Sequence, residues 1–150
     1  MPAASLLTPR LAEEAIQARV TCLPIESLPL LQCVGGTLRE NIYGERDQPP
    51  FDRVSMDGIA VDSEALRAGR TRFRLQGIQA AGAPSLKLEG ADCAIEVMTG
   101  AVLPQGCDCV IPVEQLALDG KTATLAGEVN AKAWHNVHRR GTDSRQGALL

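Results

Sequence analysis

The 150 residues and 15.9 kDa of this chain accommodate one ordinary domain or two small ones, and 45% apolar against 22% charged residues is a globular balance that excludes wholesale disorder. Eighteen acids against fifteen bases give a net charge of −3, and only 3% of residues are aromatic. A nucleic-acid partner is therefore not expected, because such binders need a basic face and stacking rings.

In chain order, the first element is a helix. Thr8 can cap it, Pro9 takes the first helical position, Glu13 and Glu14 follow, and Leu11, Ala15, Ile16 and Val20 recur at helical spacing. Cys22, Leu23 and Pro24 break the pattern. From there the chain reads as short strands and turns. Glu26 to Leu31 leads to Val34-Gly35-Gly36 and an extended Thr37 to Tyr43. Strands are expected over Gly58 to Val61, Arg72 to Leu75, Ala94 to Met98 and Val110 to Val113. Turns are expected at Ala80 to Pro84 and at Leu103-Pro104-Gln105-Gly106. Leu116 to Leu125 reads as a hairpin turning at Asp119-Gly120. The one other helix candidate is Asp62 to Arg67, stopped by Gly69. Many short strands suggest a small barrel or sandwich.

No apolar run approaches the roughly 20 residues of a membrane helix, and no charged-then-apolar leader opens the chain. A cytoplasmic protein with no membrane partner is expected. The five cysteines (Cys22, Cys33, Cys93, Cys107, Cys109) read as reduced, buried apolar residues rather than a disulfide frame. Charge is uneven: residues 131–150 carry +3 and the first 130 carry −6. Twelve of the fifteen bases are arginine, the better bidentate anion partner.

Three stretches could carry chemistry. Pro49-Pro50-Phe51-Asp52-Arg53-Val54-Ser55-Met56-Asp57-Gly58 holds two carboxylates between stiff prolines and a flexible exit; these serve a hard cation or a proton transfer, or simply cap turns. Met98-Thr99-Gly100 follows a strand, where backbone N–H groups and a hydroxyl can meet an anion, or form a plain loop exit. His135-Asn136-Val137-His138-Arg139-Arg140-Gly141-Thr142-Asp143 gathers two imidazoles, two guanidiniums and a carboxylate, suited to phosphate or to a solvated basic edge. The His135-x-x-His138 pair has metal spacing but lacks evident further ligands. No phosphate-binding glycine loop and no nucleophile elbow is present.

Taken together, Pro-Phe-Asp-x-x-x-Met-Asp-Gly-x-Ala (Pro50 to Ala60), Met-Thr-Gly-Ala-x-x-Pro-x-Gly-x-Asp (Met98 to Asp108) followed by Glu114, and Asn-Val-x-x-x-Gly-x-Asp (Asn136 to Asp143) resemble the signatures of the MoeA-like molybdopterin molybdenumtransferase family. The opening resembles it too, with its helix, Leu28-Pro29-Leu30 and a Gly-rich turn. The likeness covers nearly the whole chain. It implies an α+β, mostly β fold, with an N-terminal helix and elongated flanking segments around an inserted compact, barrel-like β domain. Residues 1–48 and 133–150 would form the discontinuous domain I, and residues 49–132 domain II. The family's α/β molybdopterin-binding domain and C-terminal β domain would be absent from this sequence, as in a fragment or a naturally short relative, so the chain would supply one wall of an active site and be inactive in isolation.

The resemblance further implies insertion of molybdate into adenylylated molybdopterin, with Mg2+ required and AMP released. By motif position, Asp57 is the catalytic or Mg2+-orienting carboxylate and Thr99 the hydroxyl and amide contact. Ser55, Gly100, Arg140 and Asp143 are substrate-binding candidates, while Asp52 and Glu114 serve the fold. The full-length protein would be a homodimer, supplied by a molybdopterin-adenylylating protein. Arg53-Val54-Ser55 stands where the family often has Asn-Ser-Ala, Ile59 where Tyr is common, and Thr142 where Glu is usual. Two other readings compete: a non-catalytic dimerisation or interaction module derived from the family, and an oligonucleotide-binding barrel with a basic tail.

Overall fold

A computed structural model describes residues 6–129 and 132–150. Two compact units divide the chain, Met1–Glu40 and Asn41–Leu150. Among the described residues the regular structure is mostly β with two short α-helices, and no helix is long and apolar enough to cross a membrane.

In the first unit, α1 spans Pro9–Gln17. The Thr8 hydroxyl accepts the Leu11 N–H at 3.4 Å and Pro9 opens the helix, so one missing donor falls where no partner is needed. Arg10 and Glu14 pair one turn apart at 2.6 Å. No residue of α1 is buried, so its apolar stripe faces solvent within this chain. After the helix, Leu30–Gln32 forms a single 3-10 turn. Gln32 N–H donates to Pro29 and Cys33 N–H to Leu30. An apolar stretch with no strand beside it cannot complete a ladder and satisfies its amides locally instead. Thr37 to Ile42 likewise stays outside any strand.

The second unit is built on a six-stranded sheet and a two-stranded ribbon. Its strands are β1 (Arg53–Val54), β2 (Gly58–Val61), β3 (Arg72–Gln79), β4 (Cys93–Val97), β5 (Cys109–Pro112), β6 (Leu116–Asp119), β7 (Thr122–Leu125) and β8 (Val137–His138). The large sheet runs β5-β2-β4-β3-β7-β6, and β1 pairs with β8. Among the described strands only the β3–β4 pair is parallel. Helix α2 (Ser63–Arg67) follows β2 directly, with the Asp62 carboxylate accepting the Glu64 N–H at 2.9 Å and Gly69 turning away at φ +84°.

All four residues of β2 are buried, as a central strand packed on both faces requires. Ile59 and Val61 join Phe73, Cys109 and Ile111 in one apolar cluster. Ala60 joins Val54, Ile95, Val97 and Val110 in another. Cys107 and Cys109 fall into different clusters.

Two turns lie one residue away from their expected places. Asp119 pairs with Thr122, leaving Gly120-Lys121 as the hairpin turn. This register sets Leu118 against Ala123 and Leu116 against Leu125, whereas a turn at Asp119-Gly120 would oppose Leu118 to Lys121. The Pro104 turn closes through Cys107 N–H on the Pro104 carbonyl at 3.1 Å, which puts Gly106 at φ +83° in the position that demands it.

All five cysteines are free; Cys93, Cys107 and Cys109 are buried, whereas Cys22 and Cys33 are exposed, contrary to the expectation that all five are buried. Burial pushes the Cys107 and Cys109 thiols up to about 12, so almost none is thiolate near neutral pH. Brief alkylation of the native chain at pH 8 is expected to label Cys22 and Cys33 only, with the other three labelled after denaturation; peptide mass spectrometry reads this directly.

Candidate functional site

Asp57 and Thr99 lie 42 residues apart in sequence and meet because of strand register. Antiparallel pairing sets Gly58 of β2 opposite Val97 of β4. The residue just before β2 is thereby carried to the residues just after β4. On the other side of β2, Gly58 lets the strand lie close against β5. Its φ is +157°, and a Cβ there would sit 1.9 Å from the Ile111 carbonyl oxygen on β5. The Val113 N–H donates to the Asp57 carbonyl at 3.0 Å and holds the loop from the other side.

Asp57 Oδ1 accepts two hydrogen bonds from Thr99, from the backbone N–H at 2.6 Å and from Oγ1 at 2.8 Å. Both bonds favour the ionised carboxylate and hold its pKa below the ordinary aspartate value. Asp57 and Thr99 are both exposed. No described hydrogen bond reaches Asp57 Oδ2. Beside the pair runs a shallow groove of about 240 Å3, with Ile59, Met98, Val113 and Leu118 as apolar lining and Glu96 as a second carboxylate.

The Thr99-Gly100 corner differs from its expected use. Its amides are not left open for a ligand. Thr99 N–H goes to Asp57, and Gly100 N–H donates to the Val54 carbonyl at 2.9 Å. Gly100 contributes its φ of +86°, which folds the corner back onto β1.

The other predicted residues gather along the ribbon of β1 and β8. Ser55 is exposed, and its N–H donates to the Asn136 carbonyl at 3.0 Å. Arg140 donates its backbone N–H to Asp52 Oδ1 at 2.8 Å and its Nε to Asp47 Oδ2 at 2.6 Å. Asp143 Oδ1 lies 2.7 Å from His138 Nε2. Arg139 stacks over the Trp134 ring at 4.5 Å. No described hydrogen bond joins the Arg140 and Asp143 group to the Asp57–Thr99 pair.

Two aspartates with clear structural work were not singled out from sequence. Asp47 accepts from Arg140 and from the Gln146 N–H at 2.9 Å, clasping the loop before β1 to the segment after β8. The signal was an acid placed ahead of a strongly basic tail. Asp108 accepts the Ser63 N–H at 2.7 Å and hydroxyl at 2.6 Å, binding the start of α2 to the start of β5. Asp108 closes the Met98-to-Asp108 signature, but its partner lies 45 residues away and the signature does not report it.

Among the described residues no group of three or more His, Cys, Asp or Glu side chains is placed to hold a metal ion. His138 is engaged by Asp143 and Arg53, so the His135/His138 spacing does not assemble a site there. Asp57 offers one carboxylate oxygen. That suits Mg2+ only where substrate phosphates and waters supply most of its ligands.

The pKa of Asp47 is lowered by its Gln146 and Arg140 hydrogen bonds, and that of Asp57 by Thr99. Each contributes stability above the unfolded value of 3.8, and the contribution is lost as pH falls through the lower folded value. The chain is therefore expected to lose stability below about pH 4, and Asp47→Asn to flatten that acid limb. Thermal melts from pH 6 to pH 2 check it; an acid limb unchanged by Asp47→Asn would contradict it.

Residues 7–150 match the family model of the MoeA N-terminal region, domains I and II. A curated molybdopterin molybdenumtransferase of a Synechocystis species is 37% identical over 139 residues, covering 93% of this chain and 36% of its own length. The molybdopterin molybdenumtransferase of Bacillus subtilis is 34% identical over 127 residues, covering 75% of this chain and 28% of its own. Two crystal structures of a molybdopterin biosynthesis MoeA protein from Pyrococcus horikoshii superpose with TM-scores of 0.73 and 0.74, at 30% and 29% identity. They cover 97% and 83% of this chain and 38% and 34% of theirs. The chain thus spans about a third of the length of the relatives it matches, and it belongs to the MoeA family, in the N-terminal region that carries domains I and II.

Proposed function

We propose that this chain is the N-terminal part of a molybdopterin molybdenumtransferase, an enzyme of molybdenum cofactor biosynthesis that inserts molybdate into adenylylated molybdopterin and releases AMP. The observation that carries the reading is the Asp57–Thr99 contact, two short hydrogen bonds on one carboxylate oxygen across 42 residues. The names of the relatives agree with it. Domain I would comprise residues 1–48 and 133–150, and domain II residues 49–132, as a barrel-like insert.

In this reading Asp57 works in the ionised state that Thr99 enforces. A fixed anion beside a groove can orient a cation or accept a proton, and it repels a second anion unless cations intervene. Mg2+, held by Asp57 Oδ2 together with substrate phosphates, would supply that neutralisation. Ser55, Gly100, Arg140 and Asp143 serve the substrate. Gly100 does so by shape, since its amide is already bonded. A homodimer of the full-length protein, substrate supply by a molybdopterin-adenylylating protein and a cytoplasmic location go with the same reading.

A second reading rests on the first unit, where Leu23, Leu30, Leu31 and Val34 are each more than 80% exposed. Apolar surface of that extent marks a docking element, which fits a dimerisation or interaction module. The two readings separate by assay. The chain alone is expected to insert no molybdate. Joined to the remaining two thirds of a curated relative, it is expected to restore insertion. A folded chimera without activity would contradict the enzymatic reading, and turnover by the isolated chain would contradict its dependence on the remaining two thirds.

A further inference from the structure

The register of the ribbon sets Arg53 of β1 directly opposite His138 of β8. Their neighbours Val54 and Val137 pack into the apolar cluster, so Arg53 and His138 share the outward face. Arg53 Nη2 lies 3.2 Å from His138 Nδ1, and His138 Nε2 lies 2.7 Å from Asp143 Oδ1. A guanidinium has five donors and no acceptor. In a neutral ring Nδ1 then accepts, which leaves the ring hydrogen on Nε2, aimed at the Asp143 carboxylate.

Asp143 is held from its backbone as well. Its N–H donates to the Gln48 carbonyl at 2.8 Å, and the chain returns the bond through Gln48 N–H on Ser144 at 2.7 Å. The neighbouring Thr142 spends its hydroxyl on the Arg139 carbonyl at 2.7 Å and so closes the turn that delivers Asp143. Backbone placement fixes where Asp143 sits; among the described residues, His138 alone bonds its carboxylate and so fixes which way it points. We infer that His138 is a positioning residue for Asp143, and that Arg53 selects the His138 tautomer that does the positioning. The substrate role of Asp143 rests on the function proposed above; the relay itself rests on the three side chains.

The test uses the full chain with 15N-labelled histidine. Long-range nitrogen–proton correlation spectra are expected to show His138 as the Nε2–H tautomer. Arg53→Leu should raise the Nδ1–H population several-fold, while Arg53→Lys, which keeps a donor, should retain the native tautomer. His138→Gln keeps a donor for Asp143 and should preserve the Asp143 carboxyl carbon shift that His138→Leu moves. In the chimera, His138→Leu is expected to raise KM for the pterin substrate about 10-fold with kcat little changed, and His138→Gln to restore it. An Nδ1–H tautomer in the native chain, or a tautomer indifferent to Arg53→Leu, overturns the relay. An unchanged KM in Asp143→Asn overturns instead the substrate role assigned to Asp143, so the two failures are told apart.

Discussion

Gly58→Ala is expected to be the most damaging single-methyl change in the second unit. The added Cβ would lie 1.9 Å from the Ile111 carbonyl oxygen and 3.0 Å from the Pro112 Cα, both backbone atoms of β5. Backbone cannot swing aside as a side chain can. The substitution must either separate β2 from β5 or move Gly58 off its φ of +157°. Either motion disturbs the strand on which both apolar clusters meet. A loss of about 3 kcal/mol or more is expected, read as a Tm lower by roughly 6–12 °C for a chain of this size. Gly69→Ala and Gly120→Ala are the controls. Both glycines have positive φ but open space around the missing Cβ, so each should cost only about 1 kcal/mol of backbone strain. Equal losses at all three positions would show that conformation, not the β2–β5 contact, makes Gly58 necessary.

Asp57→Asn is expected to have the largest effect on chemistry with little effect on stability. An asparagine Oδ1 can still accept both Thr99 donors, so the corner keeps its shape. What disappears is the charge. If the carboxylate orients a cation or a proton in the transition state, insertion by the chimera should fall about 100-fold or more while the Tm stays close to native. Thr99→Val removes the 2.8 Å hydroxyl bond and leaves the 2.6 Å amide bond, so a loss nearer 10-fold is expected. Thr99→Ser keeps both donors and should be near native. Undiminished turnover in Asp57→Asn would remove Asp57 from the chemistry.

Local features of this fold were legible because their physics is local. Thr8-Pro9 announces a helix start, Asp62 and Gly69 bound α2, and Gly-Ile-Ala-Val reads as a strand. Features that depend on a distant partner were not legible. The apolar residues around Leu30 have no strand to pair with and close a 3-10 turn instead. The Gly120-Lys121 turn is chosen by the Leu118–Ala123 pairing, not by turn propensity. The same division runs through the site. Asp57 and Thr99 were identifiable from motifs, yet the use of the Thr99 amide to bind that carboxylate follows from the β2–β4 register. Asp47 and Asp108 find their partners 93 and 45 residues away, so which groups they bind is set by the fold and not by their neighbours in sequence.

A double-mutant cycle on molybdate insertion, comparing Asp57→Asn, Thr99→Val and the pair within the chimera, reads the coupling between the two residues. Because Thr99 acts by holding the Asp57 carboxylate, the double variant should be no slower than Asp57→Asn alone. Losses that multiply would show two independent contributions and contradict a shared role for the pair.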